Sequence, residues 1–85
     1  MRLDKFLKVS RVIKRRSVAK EVADKGRVSI NGRPAKSGSD VVEGDEITIA
    51  FGNKDLTIRV DQIMDTTKKD QAQEMFTVVD ETFKD

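Results

Sequence analysis

The spacing of apolar residues predicts two helices at the N-terminus. Leu3, Phe6 and Leu7 recur at the three- and four-residue intervals of an amphipathic helix, with charged residues between them. A second helix is predicted to begin at Ser17, whose hydroxyl would cap it, and to end at Gly26, since glycine readily adopts the backbone conformation that follows a helix. Four residues of this helix are predicted to point inward: Val18, Ala19, Val22 and Ala23.

From residue 27 the apolar positions recur at every second residue, which is the period of a β-strand. Val28 and Ile30 precede Asn31-Gly32, a dipeptide typical of a tight hairpin turn, and Pro34 confines the returning strand to the edge of a sheet. A second hairpin is predicted with a turn at residues 52–54. Its strands contain Ile47, Ile49 and Phe51, and Leu56, Ile58 and Val60.

The C-terminal segment has a weaker pattern. Thr66 or Thr67 is predicted to cap a last helix that runs through Ala72, Met75 and Phe76, and no structure is assigned beyond it. The chain has no tract rich in Gly, Pro or Ser and no internal repeat, so no second domain is expected.

Composition narrows the possible functions. A chain of 85 residues with 36% hydrophobic and 38% charged residues predicts one small domain without a deep substrate pocket. It has no Cys and no His, and therefore lacks the usual zinc ligands and the commonest catalytic groups. We predict a protein that is not an enzyme and needs no cofactor or metal. With no apolar run of signal-peptide or membrane-spanning length, we expect it to be cytoplasmic.

The charges are strongly segregated. Residues 1–36 carry twelve Lys and Arg against three acidic residues, a net charge of +9, whereas residues 37–85 carry five against twelve, a net charge of −7. A concentrated basic region favours a polyanionic partner, with nucleic acid first. Since Tyr and Trp are absent and Phe6 and Phe51 have core positions, phosphates, 2′-hydroxyls and RNA shape are the expected recognition features. On charge alone, duplex DNA remains an alternative partner.

Eight basic residues in the first twenty positions would merge into one surface when the two helices pack together: Arg2, Lys5, Lys8, Arg11, Lys14, Arg15, Arg16 and Lys20. Asp4 is an exception within this basic field. It would either support the first helical turn or pair with a nearby arginine, or it would accept a hydrogen bond from a ribose hydroxyl or hold an arginine in position.

Three ordered motifs resemble the RNA-binding domain named after ribosomal protein S4: Arg2-Leu3-Asp4-Lys5-Phe6-Leu7, Arg16-Ser17-x-Ala19 and Gly26-Arg27-Val28-x-Ile30-Asn31-Gly32. The resemblance implies an α+β fold of the S4 (alpha-L) type, with two N-terminal helices packed on a small twisted antiparallel sheet and a short C-terminal helix. Residues 1–65 would form this domain, and residues 66–85 an extension of it. The central RNA contacts would be Arg2, Asp4 and Arg16. The adjacent hairpin would add Arg27, Asn31, Arg33 and Lys36.

Residues 14–21 and 66–76 are similar to the heat shock protein 15 family, and most of all to its short Gram-positive branch, which acts in ribosome-associated quality control. This resemblance implies a factor that binds obstructed large ribosomal subunits, contacts rRNA and the P-site peptidyl-tRNA, and supports alanine tailing of stalled chains. Other quality-control factors would be partners, a membrane would not, and the protein would be a monomer.

Two alternatives remain open. The first is a heat-shock-type factor that recycles blocked large subunits without tailing. The second is an adaptor whose basic face docks an acidic protein.

Overall fold

The computed structural model describes residues 1–65 and 68–84, which form helices packed against one antiparallel sheet. The strand order is β2-β1-β3-β4-β5. This architecture confirms the predicted α+β fold. The elements are α1 Leu3–Val9, α2 Arg16–Asp24, β1 Val28–Ile30, β2 Arg33–Pro34, β3 Glu46–Phe51, β4 Lys54–Val60, α3 Lys69–Ala72, a 3₁₀ turn Gln73–Met75, and β5 Phe76–Phe83.

Helix α1 forms as predicted, and Leu3, Phe6 and Leu7 are all fully buried. Its N-terminus has no side-chain cap at Arg2. The loop that precedes β3 takes this role, since the amide of Leu3 donates to the carbonyl of Ser39 at 2.8 Å and the amide of Asp4 donates to that of Ser37 at 3.2 Å. The start of α1 therefore depends on a segment more than thirty residues away in the sequence.

The N-cap of helix α2 lies two residues earlier than predicted. Arg15 has the extended backbone of an N-cap residue, Arg16 is the first helical residue, and the predicted cap at Ser17 is wrong. No side chain caps this end of the helix, and the side chain of Arg16 forms an ion pair with Asp4 of α1. Gly26 follows the helix with φ +79°, which confirms the predicted helix end.

The inward face of α2 is narrower than predicted. Ala19 and Ala23, four residues apart, are fully buried, and Val22 is half-buried against the core. Val18 is 42% exposed, so its predicted core position is wrong. Small alanine side chains bring the backbone of α2 close to its neighbours, and a helical position next to that stripe is turned out towards solvent.

Both predicted hairpins form. Asn31 and Gly32 have φ values of 51° and 81°, the positive angles that the turn between β1 and β2 requires, and Pro34 lies on the edge strand β2. The second turn consists of Gly52 and Asn53 alone, because Lys54 already pairs with Phe51 as the first residue of β4.

The C-terminal segment departs most from prediction. The predicted cap at Thr66 or Thr67 lies outside the described residues. The helix ends at Ala72, and Phe76 opens strand β5, which pairs along β4 from Val60 to Lys54. The sequence of β5 lacks regular alternation, and a register shift interrupts its pairing, so the edge of β4 rather than the local pattern creates this strand. The boundary proposed at residue 65 stays a prediction.

One core lies between the helices and the inner face of the sheet. Phe6, Ile47, Ile49, Ile58 and Met75 are all fully buried there. The opposite face of the sheet, which we call the outer face, is polar: it carries Thr48 and Thr57, whose hydroxyls lie 3.0 Å apart. The start of α1 and the start of α2 lie next to each other, because Asp4 in the first turn of α1 is 3.4 Å from Arg16, the first residue of α2.

Candidate nucleic-acid interface

A buried carboxylate joins the two N-terminal helices. Asp4 is only 3% exposed. Its Oδ1 lies 3.2 Å from Nε of Arg2 and accepts a hydrogen bond of 2.8 Å from the amide of Lys5, and its Oδ2 lies 3.4 Å from Nε of Arg16. The structure thus contains the arginine pairing that was one of the interpretations of Asp4.

The two arginines remain accessible while Asp4 holds them. Their side chains are 54% and 48% exposed, for Arg2 and Arg16 respectively. A guanidinium has five N–H donors in a planar fork, so contact with one carboxylate leaves donors available to a phosphate. Fixing the two side chains beforehand lowers the conformational entropy lost on binding. We call Arg2, Asp4 and Arg16 the arginine clamp.

A second group of cations lies at the other end of α1. Lys8 in the last turn of α1 and Arg11 and Lys14 in the turn that follows line one cavity of about 340 Å³. A fourth cation, Lys69 of α3, also lines this cavity. We call these four residues the basic pocket. Sequence reasoning missed Lys69 because it lies in the acidic half of the chain, and no local signal distinguishes it from Lys68.

The remaining predicted residues on the helical side are more dispersed. Arg15, the N-cap of α2, and Lys20 within this helix are exposed. Lys5 forms an ion pair with Asp65 at 3.3 Å. Lys36 donates to the carbonyl of Asp24 at 3.4 Å, which places it beside the end of α2.

The structure does not bring all the hairpin residues to the clamp. Arg27 shares a shallow cavity with Thr48 and Asp55, on the outer face of the sheet. The amide side chain of Asn31 is engaged within the fold: it donates to Asp45 at 3.0 Å and accepts from the backbone amide of Glu46 at 2.9 Å. Arg33 is exposed on the edge strand β2.

Asp24 connects α2 to the loop that caps α1. Its carboxylate accepts hydrogen bonds from the amide of Ser37 at 3.0 Å and from the hydroxyl of Ser37 at 3.1 Å. These bonds, the amide bond first, hold the pKa of Asp24 below its ordinary value. The ionised carboxylate therefore helps to position the loop against which α1 begins.

We expect Asp24→Asn to lower the unfolding free energy at neutral pH. Since the pKa is depressed in the folded state, the contribution of Asp24 is present above the pKa of the unfolded chain and is lost as pH falls through the folded value. The difference between the wild type and Asp24→Asn should therefore shrink in acid, which urea unfolding at a series of pH values measures. Glu43→Gln, at an exposed carboxylate, is the control. A difference that persists unchanged in strong acid would contradict this role.

The described part of the chain contains neither a metal-binding cluster nor a membrane-spanning helix. Residues 1–65 and 68–84 hold no group of three or more acidic side chains arranged for a metal ion. Among the same residues, no helix has the length and apolar character needed to span a membrane.

Phe83 is 65% exposed, with the ammonium of Lys54 5.6 Å from its ring centre, so one aromatic ring does face solvent, on β5.

Comparison with known proteins identifies the family. Residues 1–47 match the S4 domain. The RQC P-site tRNA stabilizing factor of Bacillus subtilis is 62% identical over 81 residues, which cover 95% of this chain and 94% of the relative. The protein of the same name from Streptococcus pneumoniae is 56% identical over 82 residues, 96% of this chain and 93% of the relative.

A solved structure agrees with these relatives. Heat shock protein 15 of Vibrio cholerae, described as trimeric, has a TM-score of 0.86 and 34% identity to this chain; the match covers 93% of this chain and 81% of that one. Fold and sequence similarity together show that the chain belongs to the S4 domain family and, within it, to the family of the RQC P-site tRNA stabilizing factors.

Proposed function

We propose that this protein is a noncatalytic, cytoplasmic RNA-binding factor of ribosome-associated quality control. It binds obstructed large ribosomal subunits as a monomer and contacts rRNA and the peptidyl-tRNA in the P site. By holding that tRNA in place, it supports alanine tailing of the stalled chain by other quality-control factors. The names of the close relatives, which refer to stabilisation of P-site tRNA, support this assignment.

The observation that carries the proposal is the arginine clamp. A carboxylate buried at 3% exposure is costly unless it is paired, and Asp4 has two arginine partners. The fold therefore accepts a buried charge to present two guanidinium groups at the junction of α1 and α2. Each guanidinium can bind two oxygens of one phosphate or stack on a base, and both contacts suit a structured RNA.

The other cations would extend the interface from the clamp. On the helical side we propose Lys5, Lys8, Arg11, Lys14, Arg15 and Lys20 as contacts with RNA phosphates, with Lys36 beside the end of α2. Arg27, Asn31 and Arg33 remain proposed contacts of the hairpin; of these, Asn31 would reach RNA only beside the hydrogen bonds its side chain already makes.

Binding to purified large ribosomal subunits should depend steeply on salt. If about five phosphates are neutralised, the logarithm of the affinity should fall with the logarithm of salt concentration at a slope of about −3.5 to −4.5. Sedimentation with subunits that carry peptidyl-tRNA, at a series of potassium chloride concentrations, measures this slope. A flat response would contradict an interface built on phosphate contacts.

Two further experiments separate the proposal from its alternatives. In a strain that lacks the protein, stalled chains should lose their added alanine residues; unchanged tails with accumulating blocked subunits would favour a recycling factor. Ribonuclease treatment of a lysate should release the tagged protein from its partners. Capture of one acidic protein that resists ribonuclease would favour the adaptor.

A further inference from the structure

The basic pocket combines three cations from the basic N-terminal half of the chain with one lysine from the acidic C-terminal half. We propose that Lys8, Arg11, Lys14 and Lys69 form a binding site for a phosphate of the RNA backbone, so that the C-terminal segment is part of the RNA interface. This inference rests on the proposed function, and it adds a second anchoring point about one helix length from the arginine clamp.

The turn after α1 brings three of the cations together. The amide of Arg11 donates to the carbonyl of Lys8 at 3.0 Å, and the amide of Ile13 donates to that of Leu7 at 3.0 Å. Ile13 is buried and anchors the turn in the core. Arg11 has φ 65°, a left-handed conformation that is unfavourable for a residue with a side chain. The fold maintains this conformation in a turn whose exposed side chains are cationic, and strained backbone of this kind is frequent at binding sites.

The fourth cation, Lys69, belongs to the C-terminal segment, which packs against the core. Ala72 is 2% exposed and Met75 is fully buried, so the segment that contains α3 is fastened to the core. The carbonyl of Met75 also accepts hydrogen bonds from the amides of Asp61 and Gln62, at 2.8 and 3.2 Å. Lys69 lies one helical turn before Ala72 and reaches the cavity, whereas the neighbouring Lys68 does not line it.

The charges of the pocket have no acidic partner within the described part of the chain. Among residues 1–65 and 68–84, the four residues that line the cavity are all cations, and none of them forms an ion pair, although Lys5, Lys25 and Lys54 each do. Four like charges around one cavity repel one another, and a bound anion would offset that repulsion. A volume of about 340 Å³ is near the lower end of the range for small-ligand sites and suits a phosphate with its attached ribose.

RNA is favoured over an acidic protein as the source of the anion because the pocket and the clamp lie on the same helix. Asp4 is in the first turn of α1 and Lys8 in the last, and Lys5 lies between them. The solvent-facing side of α1 thus carries Lys5 and Lys8 between the clamp and the rest of the pocket, and a continuous row of cations suits the regularly spaced phosphates of a nucleic-acid backbone.

The matched pair Lys69→Gln and Lys68→Gln tests the site. Each removes one positive charge from adjacent exposed residues, but only one of them lines the cavity. With purified large ribosomal subunits we expect Lys69→Gln to bind about five- to tenfold more weakly. Its salt slope should be shallower by about 0.7 to 0.9. Lys68→Gln should behave as the wild type, and circular dichroism should show both variants folded.

Equal affinities for the two variants would overturn the pocket, while tight binding by the wild type would preserve the proposed function. Failure of the wild type to bind would overturn both. The chain has no cysteine, so Lys69→Cys creates a single thiol for a tethered iron–EDTA group that cleaves nearby RNA. Cleavage from position 69, but not from Thr82→Cys on β5, is expected. No cleavage from position 69 in a subunit-bound variant would overturn RNA as the ligand and favour an acidic protein.

Discussion

Replacing Asp4 with asparagine should weaken binding to large ribosomal subunits about tenfold or more and lower the unfolding free energy by about 1–3 kcal/mol. The carboxylate is buried between Arg2 and Arg16, at 3.2 and 3.4 Å. A neutral amide of the same shape removes the charge that holds both guanidinium groups, and its NH₂ group cannot accept from either. Both arginines then lose their fixed positions, so each phosphate contact costs more entropy.

The measurements are urea unfolding by circular dichroism and a binding isotherm under conditions in which the variant is fully folded. Asp65→Asn is a matched control, because Asp65 pairs with Lys5 on the same side of the molecule but is 86% exposed. Its loss should change the unfolding free energy by no more than about 1 kcal/mol. Equal effects of the two variants on binding would show that burial and pairing of Asp4 are unimportant.

The charge reversal Asp4→Arg provides a stricter test of the same idea. It makes the basic face more positive, so an interface governed by net charge alone would bind RNA more tightly. We expect weaker binding, because the new cation would face Arg2 and Arg16 in a buried position. Tighter binding by folded Asp4→Arg would contradict the clamp.

Replacing Met75 with alanine should lower the unfolding free energy by about 2–5 kcal/mol, the range for truncating a large buried side chain. Met75 is fully buried between the sheet and the helices, and it ends the 3₁₀ turn that leads into β5. Since small domains are stable by only about 5–15 kcal/mol, this one cavity would remove a large share of the total.

Two controls accompany the measurement, which is again urea unfolding. Met75→Leu preserves most of the volume and should cost less than about 1.5 kcal/mol. Val79→Ala truncates a residue of β5 that is 48% exposed and should change the unfolding free energy by about 0.5 kcal/mol or less. If Met75→Ala were no more destabilising than Val79→Ala, the C-terminal segment would not be anchored through Met75.

The predictions that succeeded depend on local physics. The burial of Leu3, Phe6 and Leu7 follows from helical periodicity, and the turn at Asn31 and Gly32 follows from the backbone angles these residues tolerate. Such signals are contained in a few neighbouring residues. They are therefore visible without any knowledge of what packs against them.

The predictions that failed depend on contacts distant in sequence. The N-cap of α2 is Arg15 and not Ser17, and the next side chain, Arg16, forms an ion pair with Asp4 of another helix. Strand β5 has no regular apolar alternation and forms because the edge of β4 is available for pairing. Val18 is exposed because the close approach of Ala19 and Ala23 sets the rotation of α2. The helix or strand propensity of a segment cannot reveal an interaction whose partner lies elsewhere in the sequence.

For the candidate site, the sequence by itself determined the chemistry: a basic N-terminal region with no Cys or His, and motifs in the order typical of an S4 domain. Only the tertiary structure decided how the charges are arranged. It buries Asp4 between two arginines, turns Arg27 to the outer face, and brings Lys69 from the acidic half into the basic pocket. Composition gives only the number of charges. Binding depends on the distances between them, which are set when helices and strands pack.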